Sequence, residues 1–71
     1  MKRVYTYRLN RKTVGYIETF NGEVYFAYYG KKSDNPYLVY KGELEEATKK
    51  IDEYFNYKLG LFKLAEITIG H

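Results

Sequence analysis

TFNGEVYFAYYG, residues 19–30, is the stretch on which the fold turns. Asn21-Gly22 lies between runs of β-branched and aromatic residues, the strongest short-range signature of a two-residue hairpin turn. A turn placed there pairs Phe20 with Glu23, Thr19 with Val24, Glu18 with Tyr25, Ile17 with Phe26 and Tyr16 with Ala27. Cross-strand partners share a face of the sheet. One face is then expected to carry Ile17, Thr19, Val24, Phe26 and Tyr28. The other is expected to carry Val14, Tyr16, Glu18, Phe20, Glu23, Tyr25, Ala27 and Tyr29.

Working outward, TVGYIETF (13–20) precedes the turn as a strand, and VYTYRL (4–9) reads as another before it, joined by the polar loop Asn10-Arg11-Lys12. A two-residue loop at Arg11-Lys12 sets Tyr7 opposite Tyr16. A three-residue loop sets it opposite Ile17, in the core, and the sequence leaves both open. KKSDNP (31–36) is a polar loop ending in proline, followed by a short fourth strand, YLVYK (37–41).

From Glu43 the period changes. Leu44, Ala47, Thr48, Ile51, Phe55 and Leu59 recur at three- and four-residue spacing, one apolar stripe along a helix of about four turns that Gly60 ends. Glu43, Glu45 and Glu46 crowd its first turn, where the helix dipole favours negative charge. FKLAEITI (62–69) ends in β-branched residues and reads as a fifth strand. The expected architecture is a single small α+β domain over residues 1–71, an antiparallel sheet in the order ββββαβ with one amphipathic helix on one face. The helix stripe is expected to cover the face of Ile17 and Tyr28. Tyr16, Tyr25 and Tyr29 are expected to stand on the open one.

Composition narrows the function classes. With 71 residues and no cysteine, the chain has a thin core and neither a disulfide nor a thiolate metal site to supplement it. Ten tyrosines and four phenylalanines take up that load, since each ring buries a large apolar area. MKRVYTYRL has the charges of a signal peptide without the apolar stretch behind them, and no run reaches membrane-spanning length, so the expectation is a soluble, cytoplasmic protein with no membrane partner.

A catalytic reading finds little support. Ser33 lies in a polar loop, the one histidine is the last residue, His71, and Glu18 with Glu23 have no pocket to perturb them. Glu66 with His71 is too few ligands for a metal. The glycines punctuate elements and form no phosphate loop. The expectation is a non-enzyme without cofactor.

Charge is divided unevenly. Residues 1–42 carry eight Lys/Arg against three acids, a net of +5, whereas residues 43–71 carry a net of −2. Basic loops around a sheet bearing exposed rings are one way to hold nucleic acid, by neutralising phosphates and stacking on unpaired bases. The residues pointing to such a surface are Arg8, Arg11, Lys12, Tyr16, Tyr25, Tyr29, Lys31 and Lys32. The same residue types suit a protein-interaction module, whether a self-associating homo-oligomer or a phage-encoded inhibitor of a host defence system of the anti-CRISPR kind.

YLVYKG (37–42) followed by LEEATKKID (44–52) resembles the sheet-plus-helix DNA-binding domains of plant ethylene-response transcription factors and the arm-site-binding domains of phage-type integrases. The resemblance covers about half the chain and implies duplex DNA contacted by the sheet, through Arg8, Arg11, Lys12 and the tyrosine face. This chain adds a strand before the helix and has no tryptophan.

Overall fold

The computed structural model describes residues 1–60 in full and residues 66–69 as backbone. Four strands, β1 (Lys2–Leu9), β2 (Lys12–Thr19), β3 (Tyr25–Tyr29) and β4 (Tyr37–Gly42), lead into helix α1 (Leu44–Leu59), and β5 (Glu66–Ile69) follows. All pairings are antiparallel and the sheet order is β4-β3-β2-β1-β5. The fold class is the one expected. Within the stretch 62–69 expected as the fifth strand, residues 66–69 form β5, and residues 62–65 lie outside the described ones.

The register of the second hairpin differs from the expected one by a single residue. Thr19 pairs with Tyr25, Glu18 with Phe26, Ile17 with Ala27 and Tyr16 with Tyr28, so residues 20–24 form the connection. Asn21 explains the difference, because it spends its side chain rather than its backbone on the turn. Its Oδ1 accepts from the amides of Glu23 at 2.9 Å and Val24 at 3.3 Å, and its φ is not positive, as a two-residue turn would demand. The Thr19 hydroxyl donates to the Val24 carbonyl at 2.6 Å and accepts from the Gly22 amide at 3.0 Å, bracing the wider loop.

A one-residue slip turns every side chain of a strand to its other face. Tyr25, Ala27 and Tyr29 therefore lie on the helix side and pack against or within the core, while Phe26 and Tyr28 stand on the far side. The expected places of Tyr25, Tyr28 and Tyr29 are corrected accordingly.

The first hairpin turns through two residues, Asn10 and Arg11, at φ 51° and 68°, the pair of positive angles whose twist matches the strands. Leu9 pairs with Lys12, an irregularity follows at Val14, and Tyr7 comes opposite Gly15. Neither expected register is realised, yet Tyr7 takes the core position that one of them offered. It is buried, with its ring centroid 5.2 Å from that of Phe55.

Helix α1 forms where the stripe was expected and buries Ala47, Ile51 and Phe55, spaced one turn apart, over β2, β3 and β4. Burying side chains the size of Ile51 and Phe55 contributes about 1.5–3 kcal/mol each. Small residues on the strands beneath, Gly15 and Ala27, let the helix come close. Gly60 ends it at φ 73°, where its amide donates to the Asn56 carbonyl at 2.9 Å.

Candidate nucleic-acid interface

The helix covers one side of the sheet, and among the described residues no element packs on the other. Strand alternation and the pairing register define two rows across that open side. The first runs Arg3, Glu18, Phe26, Lys41 from β1 to β4, each paired with the next. The second runs Thr6, Tyr16, Tyr28, Leu38. Alternation places Arg8 on the same side as Thr6.

Rings and cations interleave within these rows. The Arg3 guanidinium lies 4.2 Å above the Tyr16 ring, and Tyr16 stacks on Tyr28 with centroids 5.0 Å apart and planes 26° apart. The Lys41 ammonium is 5.6 Å from the Phe26 centroid, and Phe20 meets Phe26 edge-on at 6.5 Å. Such contacts stabilise a sheet by about 0.5–1 kcal/mol each, so part of the arrangement is structural. Phe20 is different: its residue is 74 % exposed, far more than its edge contact with Phe26 requires.

Burial here is uneven. Tyr16 is 1 % exposed although no helix covers it, because Arg3 and Tyr28 lie across its ring. Desolvation pushes its phenol pKa up; the Glu18 charge and Tyr28 act in the same direction, and Arg3 opposes them. Glu18 is 5 % exposed, and its Oε2 accepts from Lys32 Nζ at 3.3 Å, with the Lys32 side chain 63 % exposed. On β1 to β4 this side carries Arg3, Arg8 and Lys41 against Glu18, so its charge over those strands is net positive.

The residues expected to form a binding surface are only partly brought together. Arg8 shares the open side, with its guanidinium donating to the Arg11 carbonyl at 2.9 Å. Arg11 and Lys12 are exposed at the tip of the first hairpin, and Lys31 is exposed beside Lys32. Tyr16 is on the open side but buried, which corrects its expected exposure. Tyr25 and Tyr29 belong to the helix side; the Tyr25 hydroxyl donates to the Gly22 carbonyl at 3.0 Å, and the Tyr29 ring meets Tyr54 at 5.1 Å and Phe55 at 6.0 Å.

Arg3, Phe26, Tyr28 and Lys41 also stand on the open side, and the sequence reading did not single them out. The signal that could have found them is the pairing of Thr19 with Asn21, two short polar side chains able to build a wider loop and move β3 by one residue. A second aromatic group was also missed. Tyr37 stacks on Tyr54 at 5.5 Å, Tyr57 is 5.9 Å from Tyr54, and the Lys58 ammonium is within 6 Å of both helix rings.

Among the described residues, no three metal-ligating side chains come together and no helix is long and apolar enough to cross a membrane. No family model, curated protein or solved structure matches the chain.

Proposed function

We propose that this chain is a non-catalytic nucleic-acid-binding protein whose interface is the open side of the sheet. The observation that carries the reading is the interleaving of Arg3, Glu18, Phe26 and Lys41 in one row beside the exposed ring of Phe20. Cations spaced across a sheet neutralise phosphates and release counterions, and rings between them offer stacking faces to bases. Lys31 and Arg11, exposed on neighbouring connections, extend the positive field beyond the strands.

The test is fluorescence anisotropy with labelled single-stranded DNA, duplex DNA and RNA across a salt series. Affinity is expected to fall steeply with salt, with Arg3→Glu and Lys41→Glu each reducing the slope by about one phosphate contact. Phe20→Ser is expected to weaken binding by about 1–3 kcal/mol, the worth of one stacked base, and to leave stability nearly unchanged because the ring is exposed. No binding at low salt would sink the proposal.

A second reading, a protein-binding module, draws on a separate place. Tyr37 and Tyr57 are exposed around Tyr54 at the outer edge of β4, away from the basic rows. Aromatic residues of this kind anchor protein interfaces. Binding that is indifferent to salt and lost on Tyr57→Ser would favour it.

A further inference from the structure

Glu18 is an odd residue for an interface that holds polyanions. A carboxylate repels phosphate, and this one is nearly buried on a side of the sheet that no described element covers. Its neighbours in the row are Arg3 on one strand and Phe26 on the other, each its direct pairing partner. Adjacent strands lie about 4.8 Å apart, so the carboxylate stands one strand spacing from the aromatic face. Two lysines occupy these groups: Lys32 on the carboxylate at 3.3 Å and Lys41 over the ring at 5.6 Å. Both belong to exposed residues on flexible stems.

Resting on the nucleic-acid reading above, we propose that the site takes single-stranded nucleic acid and selects guanine, with the base stacked on Phe26 and its Watson–Crick edge on Glu18. An ionised carboxylate has only acceptors, two oxygens side by side. Guanine is the base that offers two adjacent donors, N1–H and the N2 amino group, and so makes two parallel bonds to it. Adenine and cytosine offer one amino donor beside a ring nitrogen whose lone pair faces the second oxygen. Thymine and uracil offer one N–H flanked by two carbonyls that repel the carboxylate. The Watson–Crick edge is free only in unpaired nucleic acid, so duplex is excluded from this site.

The lysines complete the exchange. A guanine seated in this way replaces the Lys32 ammonium on Glu18 with two N–H donors and replaces Lys41 on the ring with a π face. Both ammonium groups are released within reach of the flanking phosphates. Arg3, on the other side of Glu18 and held over Tyr16, keeps its place and balances the carboxylate.

The experiment uses the full chain and thymidine oligonucleotides carrying one central guanine, adenine, cytosine, thymine or hypoxanthine, by anisotropy at low salt. Guanine is expected to bind about tenfold more tightly than thymine, in line with the discrimination of one bidentate contact. Hypoxanthine, which lacks the N2 amino group, is expected to lose most of that gain. Glu18→Gln is expected to abolish the preference among the five strands, with circular dichroism checking the fold.

Equal affinity for all five strands overturns base selection and leaves the proposed function standing. Hypoxanthine binding as tightly as guanine overturns the two-donor contact without need of a variant. A preference that survives Glu18→Gln removes Glu18 as the selecting group. Failure to bind any of these single strands overturns this inference, and failure to bind duplex DNA and RNA as well overturns the nucleic-acid reading.

Discussion

Gly15→Ala tests how closely the helix approaches the sheet. A Cβ at this position would stand 2.7 Å from Phe55 Cζ and 2.7 Å from the Tyr28 carbonyl oxygen. The backbone there is not in the left-handed region, so alanine carries no conformational penalty and the effect is one of space. Two terms favour the change: about 0.8 kcal/mol for a buried methyl and about 0.4–1 kcal/mol from a less flexible unfolded chain. Against them stands the cost of forcing extra volume into a filled core, about 1–3 kcal/mol and occasionally more. Phe55 could tilt away from the methyl, but a carbonyl held in the β2–β3 ladder cannot, which puts the cost at or above the top of that range. The net expectation is a loss of about 2 kcal/mol, from a total of roughly 4–10 kcal/mol for a domain of this length.

In a domain of this size that loss lowers the Tm by about 8–16 °C. Urea unfolding followed by circular dichroism should show a lower midpoint with an unchanged slope. Phe55→Leu removes the ring carbon nearest the new methyl, so the double variant should be less destabilised than the sum of the singles by about 1 kcal/mol. Stability of Gly15→Ala within about 0.5 kcal/mol of the parent would refute the close approach.

Two further predictions follow from other places in the fold. Burial raises the Tyr7 phenol pKa well above its ordinary value of 10.0, with the charge of Asp52 and then Tyr5 adding to the effect. Above pH 10 the unfolded chain therefore releases a proton that the native state keeps, and stability falls by about 1.4 kcal/mol per pH unit from this group. Tyr7→Phe should make the alkaline descent shallower by that amount; an identical slope would mean that the phenol is not shielded as described. Arg11 occupies φ 68° in the first hairpin, an angle that costs a side chain about 1–2 kcal/mol. Arg11→Gly should raise stability by about 0.5–1 kcal/mol after allowing for the freer unfolded chain, and the bond from Arg8 survives because its acceptor is backbone. A lowered Tm for this variant would contradict the turn geometry.

The helix was the most legible part of the chain. Ala47, Ile51 and Phe55 repeat once per turn, Gly60 follows, and a pattern of that length leaves few alternatives. The strands were legible as elements but not in register. Asn21-Gly22 suits a two-residue turn by backbone preference, whereas Asn21 caps two amides with its side chain and Thr19 braces the result, a competition between local hydrogen bonds that composition does not decide. Because side chains alternate along a strand, that one-residue difference exchanged Tyr25 and Tyr29 for Phe26 and Tyr28 on the open side. The basic character of the β1 side was visible from its arginines. Lys41 was not singled out, because its place beside Phe26 depends on pairing across the sheet.

The strand order also carries an expectation about the order of folding. β1 through β4 pair with neighbours along the chain, so these contacts close short loops. β5 instead pairs with β1, bringing Glu66 opposite Arg8 across most of the chain. Closing a loop of that size from an open coil costs about 2 kcal/mol more than closing a hairpin, since each doubling of length adds about 0.6 kcal/mol. Docking of α1 alters the problem, because Phe55 already touches Tyr7 and only residues 61–65 then separate Gly60 from the start of β5. Kinetic labelling of backbone amides should accordingly show protection of the β1–β5 ladder after that of the helix. In that order of events the helix would be the bridge by which the last strand reaches the first.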